Sequence, residues 1–503
     1  MNPLMKNLLE LKNGSDIRGI ALDTAEAPAN LTPETLQLIA FGLIHWFRKN
    51  KSGTLTVGIG HDSRLSGPQL SEILKREFFA AGIRVLDFGL ATTPALFMAT
   101  QFSQFDCDFG VMLTASHLPY YYNGLKLFSK TGGAEKEDIT FILTHTQKPQ
   151  AETGGSITFA DLLTPYAGDL VAKIRKGIHA PSEKPLSGMK IIVDAGNGAG
   201  GFFAKNVLET LGADTQGSQF LEPDGHFPNH IPNPDNPEAI ASIKAAVLEN
   251  HADLGVIFDT DVDRSAVVTA SGEVLNRNNL IAVLSVILLK EHPGTRIVTN
   301  SPTTDHLKTF IERHGGKQVR YISGYRNVIN KAIQLNHAGL DCQLAIETSG
   351  HAAFKENYFL DDGAYVIAKL LMLLPELSKT GRTLEDLIAD LQQPAETLEL
   401  RFKIKGADYS KTGNQVIQAL PAFVAQTAGW QIDPENEEGI RVSLLAPYGS
   451  GWFLLRMSLH EPLLVLQVEN DFSGIQPKFL QTFASFIADF TAIDNRSLTN
   501  KLS

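Results

Sequence analysis

The chain switches repeatedly between two hydrophobic periods. Leu55-Thr56-Val57-Gly58-Ile59 is a short apolar run that suits a buried strand, and it leads into the polar His61-Asp62-Ser63-Arg64. Leu70, Ile73, Leu74 and Phe78 then recur at helical spacing until Gly82, after which Ile83-Arg84-Val85-Leu86 resumes a strand. The same order returns at Lys190-Ile191-Ile192-Val193-Asp194, with a glycine-rich loop over 196–201 and a helix through Val207, Leu208 and Leu211 that ends at Gly212. It returns again at Arg296-Ile297-Val298-Thr299, where Ser301-Pro302-Thr303 precedes a helix carrying Leu307, Phe310 and Ile311, closed by Gly315-Gly316. Parallel strands need crossover helices, so the pattern predicts three similar α/β domains with mixed, mostly parallel sheets. After about residue 395 the period becomes two. Leu398-Glu399-Leu400-Arg401-Phe402-Lys403-Ile404 is a half-exposed strand, Ile440-Arg441-Val442 and Trp452-Phe453-Leu454-Leu455 supply more, and a helix over 478–490 follows Pro477. This predicts a C-terminal α+β domain with an antiparallel sheet. Breaks at 180–188, a linker with two prolines and a Ser-Gly pair, and at Pro293-Gly294 divide the chain into 1–182, 183–294, 295–394 and 395–503.

Composition narrows the class. With 503 residues the chain is too long for one core, and 43% hydrophobic with 20% charged residues is globular. A net charge of −11 argues against a nucleic-acid partner and requires any anion site to be built locally from a few cations and amides. Two cysteines, Cys107 and Cys342, give no disulfide framework, the first residues lack a secretory segment, and the longest apolar run, 280–289, is too short to span a bilayer. The expectation is a cytoplasmic protein with no membrane partner.

Several strand ends carry chemistry. Phe109-Gly110-Val111-Met112-Leu113 runs into Thr114-Ala115-Ser116-His117-Leu118-Pro119, and Pro119 forces the loop to turn away. Ser116 is either a nucleophile or phosphate carrier, with His117 and Lys126 close in sequence, or an ordinary loop serine. Asp259-Thr260-Asp261-Val262-Asp263-Arg264 follows a buried-looking strand and lets three carboxylates converge on one cation. An EF-hand is excluded because Arg264 stands where glycine is required and Ala270 where glutamate is required. All-oxygen ligands favour Mg²⁺ over zinc. The glycine run 196–201 satisfies a dinucleotide-binding spacing or simply a tight strand-to-helix turn. Gly14-Ser15-Asp16-Ile17-Arg18-Gly19-Ile20 reads as a glycine-bracketed loop, and residues 224–234 as a long turn-rich segment. Gly324-Tyr325-Arg326 follows a short strand. Ile346-Glu347-Thr348-Ser349-Gly350-His351 suits sugar hydroxyls or a polar loop, and Arg456-Met457-Ser458-Leu459-His460 a phosphate grip or an exposed strand end.

In this order the segments resemble the α-D-phosphohexomutase family, the phosphoglucomutases and phosphomannomutases, from Gly14 to Glu469. The resemblance implies four domains around a central active-site cleft, each contributing one loop. It makes Ser116 the phosphoserine and Asp259, Asp261 and Asp263, with a serine phosphate oxygen, the Mg²⁺ ligands. Arg18, His117 and Lys126 match catalytic positions around the transferring phosphoryl group. Arg264, Arg326, Glu347, Ser349, His351, Arg456 and Ser458 match substrate-binding positions, and His460 is placed with them as a substitute for the family's usual threonine. The implied reaction interconverts hexose 1-phosphate and hexose 6-phosphate, of glucose or mannose, with a hexose 1,6-bisphosphate as intermediate and activator. The implied assembly is a monomer or dimer. Leu459 and His460 replace a glycine and threonine usual in the last loop, Val465 replaces a common arginine and Leu118 a common asparagine. A phosphoglucosamine mutase, or a non-catalytic sugar-phosphate binder of the same fold, remains an alternative on these grounds.

Overall fold

The computed structural model describes residues 8–502 except 26, 180, 181, 407, 459 and 460. The chain forms two compact units, one running to Leu284 and including Ser349–Leu387, the other made of Ser285–Thr348 and Ile388–Ser503.

In the first unit an eight-stranded sheet is organised around the apolar strand Phe109–Leu113. Thr56–His61, Arg84–Leu90 and Ser156–Phe159 extend it in parallel on one side, as the crossover helix Gly67–Ala80 requires. On the other side Tyr122–Ser129 returns antiparallel, and Asp16–Ile20 pairs antiparallel with it. That last strand corrects the loop expected around Arg18. Ile17 is fully buried, and the pairing sets Arg18 opposite Gly124, where an added Cβ would stand 2.1 Å from the Ile17 carbonyl oxygen. Glycine at 124 is what lets the two backbones close. Trp46 and Phe47, from the helix Pro33–Asn50, stack against Phe109, and Phe47 also meets Phe78, which places the core directly under the strand leading to Ser116.

The second sheet of this unit has Leu254–Phe258 beside Ile191–Asp194 in parallel and beside Ser265–Thr269 in antiparallel pairing. The acidic loop is therefore a hairpin tip. The helix expected through Val207 to Leu211 is a π-helical stretch, Phe203–Leu208, which ends before the turn at Gly212. The expected linker is irregular over 182–188, and residues 180 and 181 lie outside the described ones.

In the second unit Lys317–Tyr321, Arg296–Asn300 and Cys342–Ile346 form a parallel sheet with helices Asp305–Arg313 and Tyr325–His337. The last sheet is antiparallel throughout, ordered Glu396–Lys403, Leu463–Asn470, Gly451–Met457, Ile440–Leu444, Trp430–Ile432. Trp430, Phe453, Phe479 and Phe483 pack between it and the helix Gln476–Ile487, giving the expected α+β arrangement. The fold class read from periodicity is the one observed. Among the described residues no helix is long and apolar enough to cross a membrane.

Candidate active site

Ser116 follows the central strand of the first sheet, and its backbone takes the left-handed conformation, φ 49°. Two contacts hold it there. Ser116 N donates to Thr114 Oγ1 at 2.9 Å, and Thr114 N donates to the Gly124 carbonyl at 3.1 Å. A non-glycine residue in this region costs about 1 kcal/mol, and such strain persists only where neighbours fix it. Its effect is to turn the hydroxyl toward the acidic hairpin tip. Ser116 Oγ donates to Asp259 Oδ2 at 3.0 Å and accepts from Arg264 Nη2 at 3.1 Å, with the residue only 7% exposed.

The three loop carboxylates converge as the spacing predicted, with oxygens of Asp259, Asp261 and Asp263 all within 4.8 Å of one another. Arg264 Nε donates to Asp259 at 3.0 Å, and Lys126 donates to Asp263 while standing 3.6 Å from Asp261. Three carboxylates thus face two cations, and Asp261 Oδ1 and Asp263 Oδ1 are buried without accepting a hydrogen bond. An excess negative charge and open hard oxygen atoms fit a divalent metal ion, which these residues can hold. Burial and the neighbouring Asp263 push the Asp259 carboxyl well above its usual range, with Arg264 opposing. At Asp263 burial also acts upward, but Lys126 and Arg264 outweigh it and hold the carboxyl below its usual value.

His117 Nδ1 lies 3.4 Å from Ser116 Oγ and 2.5 Å from Arg264 Nη2, so it accepts from the guanidinium. Arg264, then burial, keep this imidazole well below its ordinary pKa, and the ring is neutral. Arg18 donates to the Thr114 carbonyl and pairs with Asp16 at 2.8 Å, which sets it at the base of the serine loop. His351 faces Asp263 and Asp361, each at 3.7 Å, and an isolated antiparallel bridge joins it to Arg264. Within this unit it therefore lies against the acidic loop.

The remaining residues fall elsewhere. Ser349 begins the returning segment of the first unit. In the second unit Glu347 accepts from Gly324 N at 2.7 Å and so fixes the start of the helix that carries Arg326. Arg456 Nη1 stands 3.7 Å from Glu438, whose other oxygen accepts from Ser323 Oγ at 2.7 Å, and Ser458 N donates to the Leu463 carbonyl at 2.9 Å. Val465 is the ladder partner of Arg456. Leu459 and His460 lie outside the described residues.

Sequence reasoning missed Thr93, Arg64 and Asp361. Thr93 Oγ1 donates to Asp261 Oδ2 at 2.5 Å while its backbone N–H donates to the Asp261 carbonyl at 2.9 Å. Its only local signal is Thr92-Thr93-Pro94 at a helix start, with Thr92 as the capping residue.

The glycine run serves this loop too. Gly196 N donates to Asp194, Asn197 N to Phe220, Gly198 N to Ala195 and Ala199 N to Thr260, so the turn has spent these amides internally. A Cβ on Gly198 would lie 2.7 Å from the Thr260 carbonyl oxygen, and glycine is what allows the turn to rest on the acidic hairpin. Four of the amides that a bound pyrophosphate would use are thereby engaged within the protein, which favours the tight-turn reading.

The turn-rich segment 224–234 is anchored by His230, whose Nε2 lies 3.0 Å from both oxygens of Asp194. Burial disfavours the charged ring, but Asp194 outweighs it and raises the pKa above the ordinary 6.5. A raised folded-state pKa adds stability that is complete below the unfolded value and disappears as pH rises through the folded one. The melting-temperature gap between wild type and His230→Gln should accordingly be widest near pH 6 and narrow as pH increases. A gap that does not change with pH would rule out the charged pair.

A serine hydroxyl in a carboxylate-rich, metal-type pocket with a neutral histidine and two buried cations defines a phosphoryl-transfer enzyme rather than an oxidoreductase. Sequence models of the phosphoglucomutase/phosphomannomutase α/β/α domains I, II and III match residues 10–152, 168–272 and 276–395. A phosphomannomutase/phosphoglucomutase of Pseudomonas putida is 34% identical over 422 residues, covering 83% of this chain and 84% of that one. A phosphoglucomutase of Neisseria gonorrhoeae is 32% identical over 477 residues, covering 94% and 95%. The crystal structure of a phosphoglucomutase/phosphomannomutase family protein from Burkholderia thailandensis superposes with a TM-score of 0.78 at 26% identity, covering 95% of this chain and 97% of that one. The chain belongs to the phosphoglucomutase/phosphomannomutase family, and it is a mutase of the phosphotransferase type.

Proposed function

We propose that the protein interconverts hexose 1-phosphate and hexose 6-phosphate, of glucose, mannose or both, with Ser116 as the phosphoryl carrier and a hexose 1,6-bisphosphate as intermediate and activator. The observation that carries this reading is the buried Ser116 hydroxyl hydrogen-bonded to both Asp259 and Arg264. In the first half-reaction the serine O–P bond breaks, a new P–O bond forms to the free hydroxyl of the hexose monophosphate, and the hydroxyl proton ends on Ser116 Oγ. In the second the other sugar O–P bond of the bisphosphate breaks, the serine O–P bond re-forms, and the serine proton passes to the sugar oxygen released. Arg264 donates to the serine oxygen as negative charge develops there, which is the kind of fixed donor that lowers such a barrier. Lys126 and Arg18 counter charge around the transferring group. Neutral His117, with its Nδ1 lone pair near the serine, can hold a proton in passage.

Asp259, Asp261 and Asp263 would hold Mg²⁺, which when bound supplies charge neutralisation for the transferring oxygens. Arg326, Glu347, Ser349 and His351 are proposed for the sugar side and Arg456 with Ser458 and His460 for the distal phosphate. An Arg456→Met variant should then raise KM for glucose 1-phosphate by about 10- to 100-fold, the loss of a charge-assisted contact, with a smaller change in kcat. A steady-state comparison with wild type checks it. Two buried thiols with no disulfide support a cytoplasmic location.

Incubation with glucose 1,6-bisphosphate, followed by peptide mapping, should put the phosphoryl group on the peptide containing Ser116. A phosphoryl group on another peptide, or none, would overturn the carrier. Rates with glucose 1-phosphate, mannose 1-phosphate and glucosamine 1-phosphate, measured side by side, set the sugar preference.

A further inference from the structure

One buried cation in the first unit has no part in the chemistry described above, and both of its terminal nitrogens point at the serine loop. Arg64 comes from the polar stretch after Thr56–His61 and is 1% exposed. Its Nη1 donates to the carbonyls of Pro119 at 2.7 Å and Tyr122 at 3.0 Å, and its Nη2 to those of Leu118 at 2.6 Å and Ser116. The remaining nitrogen, Nε, stands 3.3 Å from Asp62 Oδ2. Asp62 is itself tied to the same region. Its Oδ1 accepts from Arg64 N at 2.9 Å, and its backbone N–H donates to the carbonyl of Leu113, where the strand before the serine ends. The Phe227 ring, from the turn-rich segment, lies 5.3 Å from the guanidinium carbon.

A loop broken by Pro119 and a left-handed serine cannot bond its carbonyls in a ladder. Here four of them turn to one side and are gathered by a single planar group. We propose that Arg64 is a positioning residue for the phosphoryl transfer, holding the backbone of 116–122 so that Ser116 Oγ stays on Asp259 and Arg264. The inference rests on the proposed role of Ser116 as carrier. Only a planar fork matches this arrangement. An ammonium group in its place has three donors on one nitrogen and cannot lie flat across four carbonyls.

The test is Arg64→Lys in the full-length enzyme, which keeps the charge and removes the fork. A displacement on the order of 1 Å at the reacting oxygen costs about 100-fold in rate. The expected result is a kcat lower by about 100-fold, with KM for glucose 1-phosphate and the half-saturating Mg²⁺ concentration both within about threefold of wild type. The ³¹P resonance of the phosphoserine should also sharpen as the loop loosens, a change that loss of global stability alone would not produce. A folded variant with wild-type kcat and an unchanged ³¹P line overturns the proposal. Amide exchange of the wild-type enzyme gives a reading that needs no variant to fold. The hydrogen-bonded amides of Ser116, Leu118 and Tyr122 should exchange as slowly as those of Phe109–Leu113, and exchange at the rate of the exposed segment 148–155 overturns the clamp. Ser116→Ala separates the two levels of inference: an active Ser116→Ala enzyme removes the carrier reading itself, whereas an inactive one beside a fully active Arg64→Lys enzyme removes only the clamp.

Discussion

Ser116→Ala is expected to lower kcat by about 10⁴-fold or more while leaving the fold intact, because the variant has no oxygen on which the phosphoryl group can wait between half-reactions. The nearby hydroxyl cannot replace it. Thr114 Oγ1 is already engaged by the backbone N–H of residue 116, at the base of the loop. Stability should change little, since Asp259 Oδ2 keeps its bond from Arg264 Nε and is not orphaned. Melting temperature and a coupled assay forming glucose 6-phosphate in the presence of glucose 1,6-bisphosphate test both halves of the statement. A variant retaining a hundredth of wild-type kcat would sink it.

The second large effect concerns the acidic hairpin tip. Asp261→Asn keeps the shape of the side chain and removes one charge from an oxygen set that carries an excess of negative charge. Asparagine Oδ1 can still accept from Thr93 Oγ1, now the neighbour of Asp261 Oδ2, so the loop should hold its place. With fewer charges to offer, it should bind Mg²⁺ at least about tenfold more weakly, and kcat should fall by about 10²- to 10⁴-fold even at saturating metal. The stability signature runs the other way. In chelator the wild type carries the like-charge repulsion that a bound cation relieves, so removing one carboxylate should leave the melting temperature of Asp261→Asn equal to or above that of wild type. In Mg²⁺ the order should reverse, because ligand binding stabilises the folded state in proportion to its affinity. Identical Mg²⁺ dependence of the two proteins would show that Asp261 does not ligate the ion.

Much of this was legible along the chain. Periodicity located the strands and helices of three α/β domains and the antiparallel sheet of the last, because each buries one face against a neighbour and the burial pattern is written at period two or 3.6. The acidic loop was legible because its three carboxylates lie within five residues, so local geometry alone brings them together. Ser116 was marked by the strand before it and the proline after it.

What could not be read was any pairing between distant segments. Asp16–Ile20 looked like a loop because its glycines and charges are turn residues in isolation, and only its burial against Tyr122–Ser129 makes it a strand. The glycine run fits both a nucleotide fingerprint and a tight turn along the chain, and only the close approach of Gly198 to Thr260 favours the turn. Thr93 and Arg64 stand 168 and 52 residues from the groups they hold, Asp261 and Ser116, and nothing local distinguishes them from an ordinary first-turn helix residue and a surface loop arginine. The sequence by itself therefore determined the classes of element and the residue types able to carry phosphate and metal. The tertiary structure alone decided which of them meet, since a hydrogen bond or ion pair acts over about 3 Å and is set by where the chain returns in space rather than by spacing along it.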